Sequence, residues 1–100
     1  MSMIQTGKLQ LNSTSATELT GGATSTFTQV VFPTPFPNDA NVIVLPFVQT
    51  FNGPDTPGLR IADVTTTGFK IRINELVGSG RALSDGPHTT ETIGWIASTV

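Results

Sequence analysis

The sequence predicts an all-β protein, a six-stranded antiparallel β-sandwich, and three observations lead to this fold class. Threonine, serine, glycine and proline are abundant while strong helix formers are sparse, a composition typical of β structure. Apolar and polar residues alternate over 69–73 and 93–97, which is the period of a strand with one buried face. Six strand-like runs are separated by turn-forming residues, and no helical period occurs between them.

Three of the connections between the expected strands are long. The strands are expected at 3–11, 26–32, 41–50, 59–64, 69–75 and 88–97. If successive strands alternate in direction, all three long loops lie at the same end of the sandwich. These loops span 12–24, 51–58 and 76–87. Because long loops on a rigid scaffold usually carry binding residues, we expect function at this loop end.

The hairpin between the fourth and fifth strands is the most clearly marked turn. Gly68 follows three threonines, and we expect it to supply the positive φ angle that a tight turn often demands. Beyond it, the apolar positions of 69–73 are expected to be buried. The intervening polar residues Lys70, Arg72 and Asn74 are expected on a solvated face.

Length, charge and composition exclude several classes of protein. One hundred residues suit a single domain spanning 1–100. The net charge is −2 and the five lysines and arginines form no stripe, which argues against a nucleic-acid partner. Cysteine is absent, so disulfides and thiolate metal sites are excluded. No apolar run approaches the ~20 residues that cross a bilayer, so we expect no membrane insertion. The start lacks the features of a signal peptide, so the chain is expected to be cytosolic at synthesis, exported by another route, carried on a particle, or a mature form.

The third strand, 41–50, differs from its neighbours because it is apolar on both faces. One face can point into the sandwich core, and the other then needs a separate cover. We expect a subunit interface here, formed by Val42, Ile43, Val44, Leu45 and Phe47.

No catalytic residue, cofactor or metal site is expected. His88 is the only histidine and is accompanied by no nucleophile motif or metal-ligand cluster, so a surface histidine is expected. Asp55 and Asp85 lie in loops at the same end; solvated turn aspartates are preferred over a Ca²⁺ site because aspartate suits turns. Trp95 is either a stacking platform for a sugar or a core anchor, and its phase within 93–97 favours the core.

The candidate ligand-binding residues lie at the loop end of the predicted sandwich. They are Arg60, Glu18, Asn52, Asp55 and Arg81. Arg60 opens the fourth strand, and its planar fork of donors suits hydroxyl or carboxylate recognition. A solvated arginine at a sheet edge is the alternative, and the sequence leaves both readings open.

Several segments resemble the H-type lectins, the family of the snail agglutinins and the discoidin C-terminal domains. They are Ile4-Gln5-Thr6-Gly7, Val31-Phe32-Pro33 with Pro35-Phe36 and Pro37, Val42-Ile43-Val44, Val64-Thr65-Thr66-Thr67-Gly68-Phe69 and Trp95-Ile96-Ala97. The resemblance runs from Ile4 to Ala97 in the family's order. Its most specific parts are Thr67-Gly68-Phe69 and Trp95-Ile96-Ala97. Related domains at the tips of bacteriophage tail fibres are similar to the chain in the same way.

The resemblance implies a homotrimer that binds galactose or GalNAc, without a metal ion, in grooves between protomers. The family's arginine on the fourth strand corresponds best to Arg60. Its loop aspartate has no counterpart, since Glu18 is the only acid in 12–24. The family's aromatic residue falls at Leu76 or Val77, and neither stacks on a sugar as an indole does.

These observations lead to the expectation of a non-enzymatic, trimeric module that recognises cell-surface glycans and is extracellular or carried on a virion. A protein of another class is the alternative. It would be a structural bacteriophage component, a tail-fibre tip or a capsid decoration, that assembles as a trimer without binding sugar.

Overall fold

The computed structural model describes residues 3–53, 56–74 and 87–100, which form six β-strands. The strands are β1 (Ile4–Ser13), β2 (Thr28–Val31), β3 (Val42–Val48), β4 (Leu59–Ala62), β5 (Gly68–Ile73) and β6 (His88–Thr99). All pairings are antiparallel and build two three-stranded sheets, β1-β6-β3 and β2-β5-β4. The expected all-β sandwich is confirmed, and each strand end lies within two residues of its expected position. Within the described ranges, no helix is long and apolar enough to cross a bilayer.

The core lies between the two sheets and is centred on four aromatic rings. Phe32 packs against Phe36, Phe69 and Trp95 with ring centroids 5.2 to 5.8 Å apart. Around these rings pack the buried aliphatic residues Leu11, Ile71, Ile73, Ile93 and Ala97. Trp95 is only 4% exposed, so the expected core anchor is confirmed. β5 and β6 supply most of the core because each is the central strand of its sheet.

Gly68 is required at the β4–β5 hairpin for a reason other than the one expected. Among the described residues, positive φ angles occur at Gly22 and at Asp63, where φ is 51°. The hairpin is closed by the Thr65 amide, which donates to the Gly68 carbonyl oxygen at 2.9 Å. A Cβ atom at Gly68 would lie 2.0 Å from the carbonyl oxygen of Val30. The expected positive φ at Gly68 is therefore wrong, and the glycine instead permits close approach of β2 and β5.

The outer face of β5 is covered by the segment 14–27, which connects β1 to β2. Arg72 points from β5 into this cover and is only 4% exposed. Its guanidinium donates hydrogen bonds to the Ala16 carbonyl oxygen and to the Thr26 hydroxyl. The solvated position expected for Arg72 is wrong, because the long loop folds back over the strand.

The outer face of the β1-β6-β3 sheet carries an exposed apolar patch formed by Ile43, Leu45, Phe47 and Ile96. Ile43 and Leu45 are 61% and 62% exposed, and Phe47 and Ile96 are 37% exposed each. Leu45 lies opposite Ile96 in the ladder, and Phe47 lies opposite Gly94. A Cβ atom at Gly94 would lie 2.8 Å from the Phe47 ring, so the absence of a side chain there lets the ring lie on the sheet. We call this surface the outer apolar patch.

The alternate residues of β3 face the opposite way. Val42, Val44 and Val48 are half-buried and pack against the core. The strand is thus apolar on both faces, but only one of these faces is buried against the core of the chain. Of the five residues expected at a subunit interface, three belong to the outer apolar patch, whereas Val42 and Val44 face the core.

The described parts of the long connections meet at one end of the sandwich. The Glu18 amide bonds the Asn74 side chain after β5, and the Asn74 amide bonds the Gly58 carbonyl oxygen before β4. The Asn52 side chain bonds the Thr90 carbonyl oxygen on β6. The described parts of the long connections therefore lie together at one end of the sandwich, as strand alternation predicted.

Candidate ligand-binding site

A groove of about 430 Å³ opens at the loop end, beside the β2-β5-β4 sheet. Its walls are the segment 17–24, the β4 residues with Gly58 before them, Phe27, and Asn74. Arg60 and Glu18, two of the residues selected from the sequence, both line it. Polar and apolar groups therefore converge on one concave surface, as in small-molecule sites generally.

Asn74 determines where the wall bearing Glu18 lies. Its Oδ1 accepts from the Glu18 amide at 2.8 Å, and its Nδ2 donates to the Glu18 carbonyl oxygen at 3.1 Å. The Asn74 amide also donates to Gly58 at 2.8 Å. One side chain thus holds the loop, the end of β5 and the start of β4 together. Sequence analysis placed Asn74 on a solvated face and missed this role, because its two partners are far away in the chain.

Glu18 presents a partly satisfied carboxylate at the groove. Its Oε1 accepts from the Thr20 amide at 2.9 Å, which orients the side chain. Its Oε2 has no hydrogen-bond partner in the part of the chain that the structure describes. One carboxylate oxygen therefore remains available as an acceptor.

Arg60 presents its whole guanidinium to the groove and the solvent. It is exposed on the edge strand β4, opposite Arg72 in the ladder. Within the described ranges it makes no hydrogen bond and no ion pair, so its five N–H donors are all free for a ligand. The sequence left two interpretations of Arg60 open, ligand recognition and a solvated arginine at a sheet edge. A free guanidinium fits both interpretations, and its position in a groove favours ligand recognition.

Phe27 supplies an aromatic group that sequence analysis did not find. It lies at the end of the 14–27 segment, is half-buried, and lines the groove. A hydrogen bond from its amide to the Thr24 carbonyl oxygen, at 3.0 Å, fixes the turn before it. The resemblance to the H-type lectins predicted the aromatic position after the fifth strand, at Leu76 or Val77, whereas Phe27 reaches the groove from the first long loop. Its position at the start of the expected strand 26–32, beside the long loop 12–24, could have indicated that it lies near the loop end.

The other candidate residues lie elsewhere. Asn52 belongs to a separate cluster on β6, where its amide donates to Glu91 Oε1 at 3.0 Å. Asp55 and Arg81 lie outside the described residues, as does Asp85. The structure therefore brings together Arg60 and Glu18 and separates Asn52 from them.

His88 is buried, so the surface position expected for it is wrong. Its Nε2 lies 2.8 Å from Oε2 of Glu91, and Gly53 packs against the imidazole. Glu91 also accepts from the Thr50 hydroxyl at 2.7 Å and is 1% exposed. The hydrogen bond with His88, followed by that from Thr50, holds the pKa of Glu91 below its ordinary value.

This buried cluster has the geometry of a structural element. The Thr50 hydroxyl bonds the carboxylate of Glu91, whereas a nucleophile would bond the histidine that acts as its base. Both carboxylate oxygens of Glu91 have hydrogen-bond partners within the protein. The cluster fastens the residues after β3 to the start of β6. Across the described ranges, this cluster included, no three His, Cys, Asp or Glu residues are grouped so that they could hold a metal ion.

No family model matches the chain, and no curated protein shows significant sequence similarity to it. What is established is therefore the six-stranded, two-sheet architecture and the composition of its groove.

Proposed function

We propose that the protein is a non-enzymatic glycan-binding module of the H-type lectin kind, with its sugar site in the groove beside β4. The observation that carries the proposal is the convergence of Arg60, Glu18 and Phe27 on one groove of about 430 Å³. The sequence segments that resemble the family, and the sandwich with its six antiparallel strands, support it.

The chemistry of the groove suits a pyranose ring. A sugar presents neighbouring hydroxyl groups together with an apolar face of C–H bonds. The fork of Arg60 donates to two adjacent hydroxyl oxygens, and the free Oε2 of Glu18 accepts from a hydroxyl group. The ring of Phe27 offers an apolar surface for the C–H face. Galactose and GalNAc are the sugars that the resemblance suggests.

Self-association into a homotrimer forms part of the proposal. The outer apolar patch exposes four large side chains on one sheet face, and soluble monomers rarely leave such groups contiguous and uncovered. Pro46 lies within the edge strand β3, and proline at an edge disfavours the addition of a further strand. A second copy of the chain therefore covers the face rather than extending the edge. Three sites on one particle strengthen binding to a glycan-coated surface.

The proposal is tested by measuring binding to an array of multivalent glycans and then to the best monosaccharide. Arg60→Ala is expected to weaken binding about tenfold or more, since it removes a bidentate donor. Arg60→Lys retains the charge but not the planar fork, and its affinity for the glycan is expected to fall nearly as far as that of Arg60→Ala. Phe27→Leu retains an apolar side chain without the ring, and is expected to lose part of the affinity.

Lys8→Ala is the matched control for Arg60→Ala. It removes one exposed positive charge from the other sheet, so the net charge of the two variants is the same. Lys8→Ala is expected to bind as wild type does. Equal binding by wild type and Arg60→Ala would contradict the proposed site, and no glycan bound at millimolar concentration would contradict the glycan role.

A structural role in a virion, as a tail-fibre tip or a capsid decoration, is the second candidate. The outer apolar patch favours it, because that surface supports assembly whether or not the groove binds sugar. Mass spectrometry of purified phage particles, together with a negative glycan array, would establish this alternative. In both roles the protein acts outside the cell that makes it, at a cell surface or on a particle.

A further inference from the structure

A second, smaller cavity of about 170 Å³ lies under the segment 14–27, on the outer side of the β2-β5-β4 sheet. It shares no lining residue with the groove at Arg60. Arg72 lines it, and this side chain is 96% buried, since only 4% of it is exposed. Hydroxyl and amide groups line most of the remainder: Asn12, Ser13, Thr14, Ser15, Thr26 and Thr28.

The hydrogen bonds of Arg72 leave donors unused. Nε donates to the Ile73 carbonyl oxygen at 3.1 Å, Nη1 donates to Thr26 Oγ1, and Nη2 donates to the Ala16 carbonyl oxygen. A guanidinium has five N–H groups, so one on Nη1 and one on Nη2 have no acceptor among the described residues. The Thr26 hydroxyl accepts from Arg72 and therefore has its own proton to donate. Within the described ranges that proton has no acceptor.

The charge of Arg72 is also uncompensated. Its three acceptors are neutral oxygens, it forms no ion pair in the described part of the chain, and no acidic residue lines the cavity. A buried charge without a partner of opposite sign is costly, because the desolvation of the ion is not repaid. A negatively charged ligand in this cavity would supply the missing partner.

The size and lining of the cavity indicate the class of ligand. Its volume accommodates a group of a few heavy atoms, and its lining offers N–H and O–H donors on several sides. An oxyanion with several strongly accepting oxygens matches such donors, and guanidinium groups bind sulfate and phosphate through charge-assisted hydrogen bonds. We propose that the Arg72 cavity binds a sulfate or phosphate group, either as a free ion or as a substituent of a larger ligand. This inference does not rest on the proposed glycan site, because the two sites share no residue.

The test follows the two-dimensional ¹H–¹⁵N NMR spectrum of the protein while sodium sulfate, and separately sodium phosphate, is added at constant ionic strength. The Arg72 Nε–H signal and the amides of Thr26 and Thr28 are expected to shift with saturation, with a Kd on the order of 1 mM. Saturation of the shifts distinguishes binding at a site from the general stabilising effect of sulfate, because the general effect continues to rise with concentration and involves no specific site. Shifts that never saturate, or that occur only at exposed residues, would overturn the proposal.

Three variants identify the cavity as the site. Arg72→Lys keeps the charge without the fork and is expected to raise the Kd about tenfold. Thr28→Val removes one lining hydroxyl that does not bond Arg72, so it keeps the fold and is expected to raise the Kd about threefold. Thr34→Val, the matched control at the other end of the sandwich, is expected to change nothing. If Arg72→Lys does not fold, an unchanged Kd in Thr28→Val overturns the proposal by itself.

The source of the anion is decided with the same signals. Galactose 6-sulfate and galactose are titrated beside inorganic sulfate. If galactose 6-sulfate saturates the shift of the Arg72 signals at a lower concentration than inorganic sulfate does, the natural ligand is a sulfate group carried by a glycan. Equal affinity for the two identifies the free ion. Galactose alone is expected to leave the Arg72 signals in place, and an equal response to galactose would overturn the requirement for an anion.

Discussion

The Nε2 atom of His88 lies 2.8 Å from Oε2 of Glu91, and both side chains are almost completely buried. The same carboxylate accepts from Thr50 at 2.7 Å and from the Asn52 amide at 3.0 Å. A buried charged group is tolerated when it is fully hydrogen-bonded, and here its partners come from two distant parts of the chain. The cluster therefore links the chain beyond β3 to β6 at the loop end.

Acid is expected to weaken this link, and the direction follows from the pKa of Glu91. Hydrogen bonds from His88 and Thr50 lower the pKa of Glu91 in the folded protein, so its contribution to stability is present above about pH 4.5. The contribution is lost as the pH falls through the lowered folded value. Glu91→Gln is expected to lower the urea midpoint at pH 7, and the difference from wild type is expected to shrink at lower pH.

Asp39→Asn is the control for this substitution, because Asp39 is exposed and makes no hydrogen bond or ion pair in the described part of the chain. Its urea midpoint is expected to match wild type at pH 7. A Glu91→Gln protein that matches wild type at every pH would show that the carboxylate contributes nothing to stability.

Gly7 is expected to tolerate no side chain, because it lies opposite Trp95 in the β1–β6 ladder. A Cβ atom at Gly7 would lie 2.4 Å from the indole, a distance that forces the ring to move within a packed core. Gly7→Ala should therefore destabilise the protein by about 1–3 kcal/mol. Chemical unfolding monitored by Trp95 fluorescence measures this, and the folded-state emission should also shift. Gly21→Ala is the control, since nothing lies within 4 Å of a Cβ atom there.

The outer apolar patch is expected to hold subunits together. Light scattering of wild type should give about three times the chain mass of 10.5 kDa if the proposed trimer is correct. Ile43→Lys places a charge on the exposed face and should produce a folded monomer. Val44→Lys places the same charge against the core and should unfold the chain instead. A wild-type protein that is monomeric at high concentration would exclude the proposed assembly.

Asn74 is expected to control the groove without touching a ligand itself. Asn74→Ala removes both side-chain hydrogen bonds to Glu18, so the Glu18 amide loses its acceptor. Hydrogen exchange at that amide should accelerate, and stability should fall by about 1–2 kcal/mol. Asn38→Ala, at the other end of the sandwich, should change neither quantity. Unchanged protection of Glu18 in Asn74→Ala would mean that the loop is held by other contacts.

The fold was predictable from sequence because strand periodicity is a local property. Alternation over 69–73 and 93–97 correctly placed the buried faces of β5 and β6, and the strand Val42–Val48 alternates as its two apolar faces require. Strand order in the sheets depends on pairing between distant segments, and the sequence does not encode it in any local pattern.

The candidate site was predictable only in part, for a related reason. Strand alternation brought Arg60 and Glu18 to the same end of the molecule, and the structure places both on one groove. Alternation identifies the face of a strand but not what folds over it, so the burial of Arg72 was missed. Phe27 was missed because it reaches the groove from a loop, and the burial of His88 depends on a partner chosen by tertiary packing.

The strand order has a consequence for the sequence of events in folding. β6 is the last of the six strands in the described part of the chain, yet it is the central strand of its sheet and pairs with both β1 and β3. Before β6 is synthesised, β1 and β3 have no common partner, and the core lacks Ile93, Trp95 and Ala97. The sheet therefore forms only after β6 leaves the ribosome, in a step that closes long stretches of chain and is correspondingly slow. Until then the apolar residues of β3 lack their partner strand, and exposed apolar segments of this kind make an incompletely folded chain prone to aggregation.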